Sequence, residues 1–433
     1  MTKQIAFIIV TLITAGVFTF TIRRIIAYLS MTKSAYPISQ LGERFKILLQ
    51  VAFGQTKILR RPVIGLMHAL VYWGFLVITI GTVEMILDGI LGTERILAPL
   101  GAFYDFVTAS GDIFALIIIV SCIAFLIRRH LIKVKRFSGI EMTKGSNIDA
   151  TIALSMITLL MVSLIGASVG YVAQNPSGYE GYFPISAALV PMLSVDNIHL
   201  FTEVNWWAHV ILVYVFANVL PYSKHFHVFM SMPNVFFSRL EPLTKLDNME
   251  SVTNEVKMMM NPDTAFANPP EGAAPPERFG VKDVEDVNWK NYIDSLTCTE
   301  CGRCTSVCPA NITGKKLSPR KLFIDLRKRM SEKGPGLVKE GKSFSDNKAL
   351  LGDYISAEEL WACTTCNACA MECPVNIDHP SLIVDMRRYL VLEESSAPAE
   401  LTNMFSNIEN NGAPWPFAQT ARMDWAQNIE MNS

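Results

Sequence analysis

The sequence has almost no net charge and little cysteine outside two short segments. Its formal net charge of −1 over 433 residues argues against a protein that binds nucleic acids or acidic substrates. Of nine cysteines, only Cys122 lies outside residues 298–373, which is not the spacing of a disulfide framework. Charged residues are also scarce, at 18%, whereas hydrophobic residues reach 50%, a high share for a soluble protein. The length allows two or three domains.

The N-terminal apolar segment lacks the small-residue cleavage site of a signal peptide. Ile5 to Ile22 form an uncharged run of 18 residues, and Arg23 and Arg24 follow directly. We therefore expect a retained membrane helix. Without a cleaved signal peptide, the close spacing of the cysteines favours metal ligation in a reducing compartment.

Long apolar runs dominate the first half of the chain. Each is close to the ~20 residues that span a bilayer as a helix. Together they predict a five-helix membrane domain over residues 1–230. The predicted spans are about 5–22, 63–83, 106–127, 150–172 and 204–222.

Lys and Arg residues are distributed unevenly between the loops of this domain. Residues 23–61 contain eight and residues 128–149 contain six, whereas residues 84–105 contain one and residues 173–203 none. Because cytoplasmic loops are rich in Lys and Arg, the pattern predicts an outer N-terminus and a cytoplasmic C-terminal half. The expected location is the inner (cytoplasmic) membrane of a bacterium.

The rest of the chain is predicted to form a linker, a small soluble domain and a polar tail. The linker contains a stretch rich in Pro, Ala and Gly at residues 268–276. The tail carries Trp415 and Trp425 and is a candidate partner contact. The predicted bounds are 231–284 for the linker, 285–395 for the domain and 396–433 for the tail.

Eight cysteines form two copies of one motif, Cys-x2-Cys-x2-Cys-x3-Cys-Pro. This is the run of bacterial two-cluster ferredoxins, in which the fourth cysteine of each run ligates the other cluster. Thiolates suit this role because soft anionic sulfur holds the iron of a cubane. Cluster 1 is predicted to use Cys298, Cys301, Cys304 and Cys373, and cluster 2 to use Cys363, Cys366, Cys369 and Cys308.

Two zinc sites are the alternative interpretation of these motifs. Four-cysteine zinc sites usually pair two CxxC units and need no third close cysteine followed by Cys-Pro, which favours 4Fe–4S clusters. The 54 residues between the motifs, 309–362, include a helical pattern from Ser318 to Met330, with Ser as the cap and Pro in the first turn. This region resembles the all-helical ferredoxin domain of succinate dehydrogenase iron–sulfur subunits and heterodisulfide reductase C subunits.

Histidines in a membrane helix are costly unless they are used. His68 lies about 7.5 Å into the second apolar run from its cytoplasmic start, and His227 follows the cytoplasmic end of the fifth. Ligation of haem b by two histidines needs one from each of two facing helices at equal depth, and this pair meets the condition. The alternative is a hydrogen-bonded core histidine and an interfacial one. His209 shares a face with His227 if the helix continues past Pro221, whereas His225 points nearly the opposite way.

The fifth apolar run resembles a known haem-binding membrane family. Its Trp206-Trp207-x-His209 and the following Leu220-Pro221 to His227 are similar to the gamma subunit of respiratory nitrate reductase and to heterodisulfide reductase membrane subunits. The resemblance implies five helices, an outer N-terminus and two stacked haems.

One position departs from that family. Its second helix carries two histidines ten residues apart, whereas Ile78 stands ten residues after His68 here. The resemblance therefore implies one haem b at His68 and His227. A second haem at His209 needs another partner, for which His199 in the outer loop is the candidate.

The whole chain resembles the front part of membrane-bound iron–sulfur oxidoreductases, including the electron-transfer-flavoprotein:menaquinone type. The resemblance implies a mainly α fold, in which a five-transmembrane-helix haem b bundle is joined to an all-helical two-cluster ferredoxin domain. Those relatives continue into a cysteine-rich domain with CCG motifs, whereas no cysteine follows Cys373 here, so a separate CCG-domain iron–sulfur subunit is the expected partner.

The implied function is that of an oxidoreductase subunit that transfers electrons between a cytoplasmic redox partner and the membrane quinone pool. A flavoprotein or another dehydrogenase is the expected donor, and menaquinone or another quinone the expected substrate. Two alternatives stay open. In the first, the chain is an anchor that docks and wires a catalytic subunit without its own quinone site. In the second, the chain is a transmembrane relay to an outer partner, which needs a second haem near His209.

Four further residues carry weaker expectations. Cys122 is expected in the core, His130 at the membrane interface and His379 on the surface. Asp112 is expected to pack at a helix end, with proton or quinone chemistry as its alternative.

Overall fold

The computed structural model describes residues 2–132, 134–261 and 278–426, and these are mainly helical. The predicted Pro-rich stretch at 268–276 lies outside the described residues. Among the described residues, extended pairing is limited to two isolated bridges, which join Lys33 to Asn288 and Leu351 to Ile355.

Five described helices are long and apolar enough to cross a membrane, which confirms the predicted number of spans. Each of these helices is longer than its apolar run at one end or both. We label them α1 (Thr2–Ser30), α2 (Pro62–Leu91), α3 (Ala102–His130), α4 (Lys144–Gln174) and α5 (Ile198–Val219).

The ends of these helices follow ordinary capping rules. Pro62 occupies the first turn of α2, and Gly92 ends that helix in the left-handed conformation with φ of 71°. The Thr143 hydroxyl accepts a hydrogen bond from the Ser146 N–H at 3.1 Å and so caps α4.

Close packing joins α4 to α5. A Cβ atom at Gly166 would lie 2.3 Å from the Asn205 side-chain oxygen, and one at Gly170 would lie 2.2 Å from the Thr202 hydroxyl. Cys122 is fully buried in the neighbouring core cluster, as expected for a small core residue. An added Cβ at either glycine would crowd the facing side chain, so these glycines allow the close approach of α4 to α5.

The fifth helix does not continue past Pro221, so the condition for His209 and His227 to share one helix face is not met. The α-helix ends at Val219 and two 3₁₀ turns follow. His227 then begins a separate helix, His227–Phe236. The break follows from the proline, which donates no backbone hydrogen bond to the preceding turn.

Short helices build the remainder of the chain. They include Leu41–Ile47, Thr56–Leu59, Pro184–Leu189, Glu250–Met260, Trp289–Thr297, Arg303–Ser306, Pro309–Ile312, Pro319–Glu340, Ala357–Trp361, Ala368–Glu372, His379–Leu392 and Ala399–Asn411. The predicted helix between the motifs is confirmed as Pro319–Glu340. Ser318 precedes it, but its hydroxyl donates to Glu141 at 2.7 Å and does not cap the helix.

The chain divides into two compact units. The first comprises residues 1–246 and 283–380 and contains the membrane helices and both cysteine motifs. The second comprises residues 247–282 and 381–433. Within its described part, the Val281 N–H donates to the Asp385 carbonyl at 3.0 Å, and Trp415 and Trp425 are exposed.

Within the first unit, the loops at one end of the helix bundle hold the cysteine-bearing part. Arg320 and Glu141 form a buried ion pair at 2.6 Å, and Arg320 also donates to the carbonyl oxygens of Arg136 and Ser138. Lys33 exchanges backbone hydrogen bonds with Val287 and Trp289 at 2.8 and 3.0 Å. Because a buried charge without its partner is costly, these contacts fix the cysteine-bearing part against the bundle.

Candidate iron–sulfur and haem sites

The two cysteine motifs fold into the same loop twice. In each motif the residue two positions after the first cysteine is left-handed, Glu300 with φ of 58° and Thr365 with φ of 53°. The residue that follows the second cysteine is also left-handed, Gly302 with φ of 70° and Asn367 with φ of 59°. These reversals wrap the chain around a centre, so that three closely spaced cysteines can face it.

The fourth cysteine of each motif lies with the opposite motif. Cys373 is an electrostatic neighbour of Cys298 and Cys301. Cys308 is a neighbour of Cys363 and Cys366. The structure therefore brings together the two sets of four cysteines that the motif predicts: Cys298, Cys301, Cys304 and Cys373 in one, and Cys363, Cys366, Cys369 and Cys308 in the other.

The first set is poorly solvated. Burial raises the pKa of the Cys298 thiol to about 11 and that of Cys373 to about 12. Burial and the neighbouring cysteines raise the pKa of Cys304 as well. Three buried thiolates and a partly buried one, Cys301, are stable only beside a compensating positive charge, which the iron of a 4Fe–4S cluster would supply. The donor set thus fits such a cluster.

A single metal ion has no comparable site in the described part of the chain. There, no group of three or more His, Cys, Asp or Glu side chains is arranged to hold one.

The two sets differ in exposure. Cys298, Cys304 and Cys373 are all buried, with 5–7% of each residue exposed. In the second set Cys366 is exposed, although Cys369 is buried. The second set therefore has an edge open to solvent at Cys366, whereas the least buried member of the first set, Cys301, is only partly exposed.

His68 and His227 lie close together beside the first set. Burial, followed by the proximity of His225 and His68, lowers the pKa of His227 to about 3. His227 Nδ1 donates to the Lys224 carbonyl at 3.3 Å, which leaves Nε2 with its lone pair. The buried Nδ1 of His68 has no hydrogen-bond partner in the described residues.

His225 is engaged elsewhere. Its Nδ1 bonds the Ser223 hydroxyl at 3.0 Å and lies 3.6 Å from a carboxylate oxygen of Asp149. A neutral, buried imidazole with a free Nε2 suits a haem iron, so His227 fits that role better than His225.

His209 is buried inside the bundle, away from this pair. Its Nδ1 donates to the Leu160 carbonyl at 2.9 Å, and its buried Nε2 has no partner in the described residues. His199 is exposed and lies on α5 itself, so it is not placed across a haem from His209. Ile78 packs against the core cluster that contains Leu160.

Direct contacts join the first cysteine set to the start of α2. Lys57 Nζ donates to the Cys373 carbonyl at 3.2 Å, and Arg61 pairs with Glu372 at 3.0 Å. Arg303, between Cys301 and Cys304, donates to the Lys57 carbonyl at 3.0 Å and is an electrostatic neighbour of His68. The first cysteine set thus reaches the helix that carries His68.

A second link joins the first motif to the turn before His227. Glu300 accepts hydrogen bonds from Lys224 at 3.3 Å and from Arg327 at 2.5 Å, and it also bonds the Ser146 hydroxyl. The motif analysis did not single out Glu300, Lys224 or Arg303. The only sequence signal for Glu300 and Arg303 is that a charged residue stands between the cysteines of the first motif.

The weaker expectations have mixed outcomes. Asp112 accepts two backbone N–H bonds, from Ile185 and Ser186 at 2.7 and 2.9 Å, and therefore caps the helix Pro184–Leu189. The expectation for His379 is wrong, because it is 1% exposed and packs at 5.2 Å from the Phe323 ring. His130 is exposed at the end of α3, as expected for an interfacial residue.

Comparison with known proteins agrees with the cysteine geometry. Residues 297–377 match the family model of the 4Fe-4S dicluster domain, which covers both motifs. The chain is 27% identical to the probable iron-sulfur-binding oxidoreductase FadF of Bacillus subtilis, over 98% of this chain and 60% of that protein. The chain is a homologue of iron–sulfur oxidoreductases.

Other relatives are consistent with this homology. The EtfAB:quinone oxidoreductase of Syntrophomonas wolfei is 26% identical over 96% of this chain and 58% of that protein. A probable membrane-anchored ferredoxin of Chromohalobacter salexigens is 33% identical over 35% of this chain and 25% of that protein. This chain spans about 60% of the length of the Bacillus and Syntrophomonas relatives. No solved structure matches it.

Proposed function

We propose that this chain transfers electrons between a redox partner and the membrane quinone pool through two 4Fe–4S clusters and one haem b. The observation that carries the proposal is the contact of Cys373 and Arg303, in the loops of the first cysteine set, with Lys57, which lies just before the helix of His68. The dicluster match supports the clusters, and the name of the Syntrophomonas relative suggests the quinone.

The proposed ligands of cluster 1 are Cys298, Cys301, Cys304 and Cys373, and those of cluster 2 are Cys363, Cys366, Cys369 and Cys308. His68 and His227 are the proposed residues that would hold haem b, which would supply one-electron chemistry between the clusters and the quinone. The exchange of the fourth cysteine ties the two motifs into one rigid unit.

Cys366 gives the second set an exposed edge that a redox protein can approach, so a cluster held there would accept electrons from the partner. Lys57, Arg61 and Arg303 bring the first set against the segment that leads into α2, so a cluster held there would pass electrons toward the membrane bundle. We propose a flavoprotein or other dehydrogenase as the donor, acting through a CCG-domain iron–sulfur segment or subunit. The cysteine-bearing part faces the cytoplasm and the N-terminus lies outside, in the cytoplasmic membrane of a bacterium.

A transmembrane relay is the second candidate, and the buried, unpartnered Nε2 of His209 favours it. A relay needs a second haem on the outer side of the bundle. His209 alone among the described histidines has a buried Nε2 without a partner there.

Haem and iron content, together with a redox-titrated visible spectrum, test both candidates. We expect one haem b and about eight iron atoms per chain in the purified protein. His68→Ala and His227→Ala should each remove the haem spectrum and abolish quinone reduction in membranes, and His209→Ala should retain both.

His225→Ala is the matched control, because His225 bonds Ser223 and Asp149 and is not a proposed ligand. It should keep the haem. Two haems per chain, one of them lost in His209→Ala, would favour the relay. Haem-free protein, or quinone reduction unchanged by His68→Ala, would contradict the proposed route.

A further inference from the structure

Arginines are concentrated on one side of the first cysteine motif. Arg303 lies between two cysteines of that motif and is only 6% exposed. The backbone of Arg136 lies directly over Gly302, where an added Cβ atom would sit 2.3 Å from the Arg136 carbonyl oxygen. That carbonyl also accepts a hydrogen bond from Arg320 at 2.8 Å, which holds the loop in place.

A second layer of arginine lies behind this contact. The guanidinium groups of Arg128, Arg129 and Arg136 all surround the Phe137 ring, at 5.7, 5.3 and 5.2 Å from its centroid. Arg128 is in turn an electrostatic neighbour of Arg303. Arg128 and Arg129 at the end of α3 and Arg136 in the loop after it therefore form a group of positive charges, of which Arg136 lies near Cys301 of the first cysteine set.

Three of these arginines have no carboxylate partner. Within residues 2–132, 134–261 and 278–426, neither Arg128, Arg136 nor Arg303 forms an ion pair. Two nitrogens of Arg136, Nε and Nη1, are buried without a hydrogen-bond acceptor. The anionic neighbour that Arg136 and Arg303 share is Cys301, and Arg303 also lies near Glu372 and Cys373.

The nearby acids are already neutralised. Glu372 pairs with Arg61 at 3.0 Å. Glu300 pairs with Arg327 at 2.5 Å and with Lys224 at 3.3 Å. These carboxylates therefore do not neutralise Arg128, Arg136 and Arg303, which keep their positive charge beside the first cysteine set.

The second cysteine set lacks this arrangement. The electrostatic neighbours of Cys369 are the other cysteines of its own set, Cys363, Cys308 and Cys366. An ion pair on the surface nearby in sequence, Lys316 with Glu358, is about two-thirds exposed on both sides and is therefore screened by water. The two sets thus differ in charge as well as in exposure.

We propose that Arg303, Arg136 and Arg128 hold the reduction potential of cluster 1 above that of cluster 2, so that electrons accumulate on the cluster beside the membrane bundle. The inference rests on the cluster assignment in the proposed function. One electron leaves cluster 2, which is oxidised, and one electron reduces cluster 1, with no proton or bond exchanged.

The physical reason is electrostatic. Reduction adds one negative charge to a cluster, and a buried positive charge stabilises that added charge more than an exposed one does, because water screens the latter. The Arg303 guanidinium donates to the Lys57 carbonyl, and the Arg136 guanidinium packs against the Phe137 ring. The potential of an iron–sulfur cluster follows its net charge, hydrogen bonds and exposure.

A redox titration followed by electron paramagnetic resonance tests this on the full-length protein with clusters and haem in place. The signals are assigned first with Cys301→Ser and Cys366→Ser. Arg303→Gln should then lower the midpoint potential of cluster 1 by about 59 mV, which corresponds to a tenfold change in how one electron is shared between the two clusters. The midpoint potential of cluster 2 should stay unchanged. Arg136→Gln should act in the same direction.

Two further variants separate charge from structure. Arg303→Lys keeps the charge and should restore most of the potential. Lys339→Gln removes an exposed charge of the same domain, 82% exposed, and should shift neither cluster. The proposal is overturned if cluster 2 has the higher potential, or if Arg303→Gln and Arg136→Gln shift cluster 1 no more than Lys339→Gln does. Failure of quinone reduction with the expected shifts would instead count against the proposed function alone.

Discussion

At the scale of single residues, the two cysteine loops differ at one informative position. Both loops need a left-handed residue after the second cysteine, which is Gly302 in the first motif and Asn367 in the second. Asn367 is tolerated because its side-chain amide donates to the Thr365 carbonyl at 3.2 Å. No residue with a side chain fits at Gly302, because the Arg136 carbonyl occupies the space that its Cβ atom would need.

Gly302→Ala should therefore disrupt the first cysteine loop. The added Cβ would meet the Arg136 carbonyl at 2.3 Å, and neither backbone can yield without breaking the Arg320 contact. We expect loss of about half of the roughly eight iron atoms per chain, because one cluster of the two fails to assemble. Iron analysis of the purified variant measures this.

Gly314→Ala is the control for backbone strain. Gly314 also has positive φ, 84°, but has nothing within 4 Å of an added Cβ. It should cost only about 1 kcal/mol of stability and keep its iron. Equal iron loss in both variants would show that strain, and not the Arg136 contact, is decisive at Gly302.

At the scale of elements, hydrophobic length predicts the helices better than it predicts their ends. The five apolar runs are all helical, but every helix is longer than its run at one end or both. The fifth run also gives way to 3₁₀ turns before His227. Apolar residues report the membrane interior, whereas caps and prolines, which are local and polar, set where a helix stops.

The exchanged cysteines allow an element-scale prediction. Cys373→Ser should abolish cluster 1, although Cys373 belongs to the second motif, and Cys308→Ser should abolish cluster 2. The expectation follows from the neighbours of each thiol, which are those of the opposite motif. Cluster-specific paramagnetic resonance signals and iron content measure the loss.

Cys122→Ala is the control for this pair, because Cys122 is buried among apolar side chains of the bundle and should leave both clusters intact. If Cys373→Ser removed the same signal as Cys363→Ser, and not that of Cys298→Ser, the exchange of ligands would be wrong.

At the scale of the whole molecule, the basic loops and the cysteine motifs meet at one end of the bundle. Lys57 and Arg61 contact the second motif, and Arg136 and Glu141 contact Arg320 in the first turn of the helix between the motifs. The same basic loops are the ones that the distribution of Lys and Arg predicts to be cytoplasmic. The basic loops and the cysteine motifs lie at the same end of the bundle. One orientation, with that end in the cytoplasm, therefore agrees with both.

Protease treatment of oriented vesicles tests that orientation. We expect trypsin to digest the cysteine-bearing part in inside-out vesicles only, because this part lies with the basic loops. Detergent-permeabilised vesicles serve as the control, since they expose both faces. Digestion in right-side-out vesicles would reverse the predicted orientation and place the clusters outside the cell.

The sequence alone determined the number of membrane helices, the position of the cysteine motifs and the helix between them. These features are local, since hydrophobic length and cysteine spacing are read over about 20 residues or fewer. It also predicted which cysteines belong together, because the motif itself carries that rule.

Only the tertiary structure decided how charged and polar residues are used. It buried His379 against Phe323, gave Asp112 to a helix cap and brought Arg136 over Gly302. Each of these contacts joins residues that are far apart along the chain. Local sequence patterns do not predict such pairs, because the burial and pairing of a polar group depend on which distant segment packs beside it.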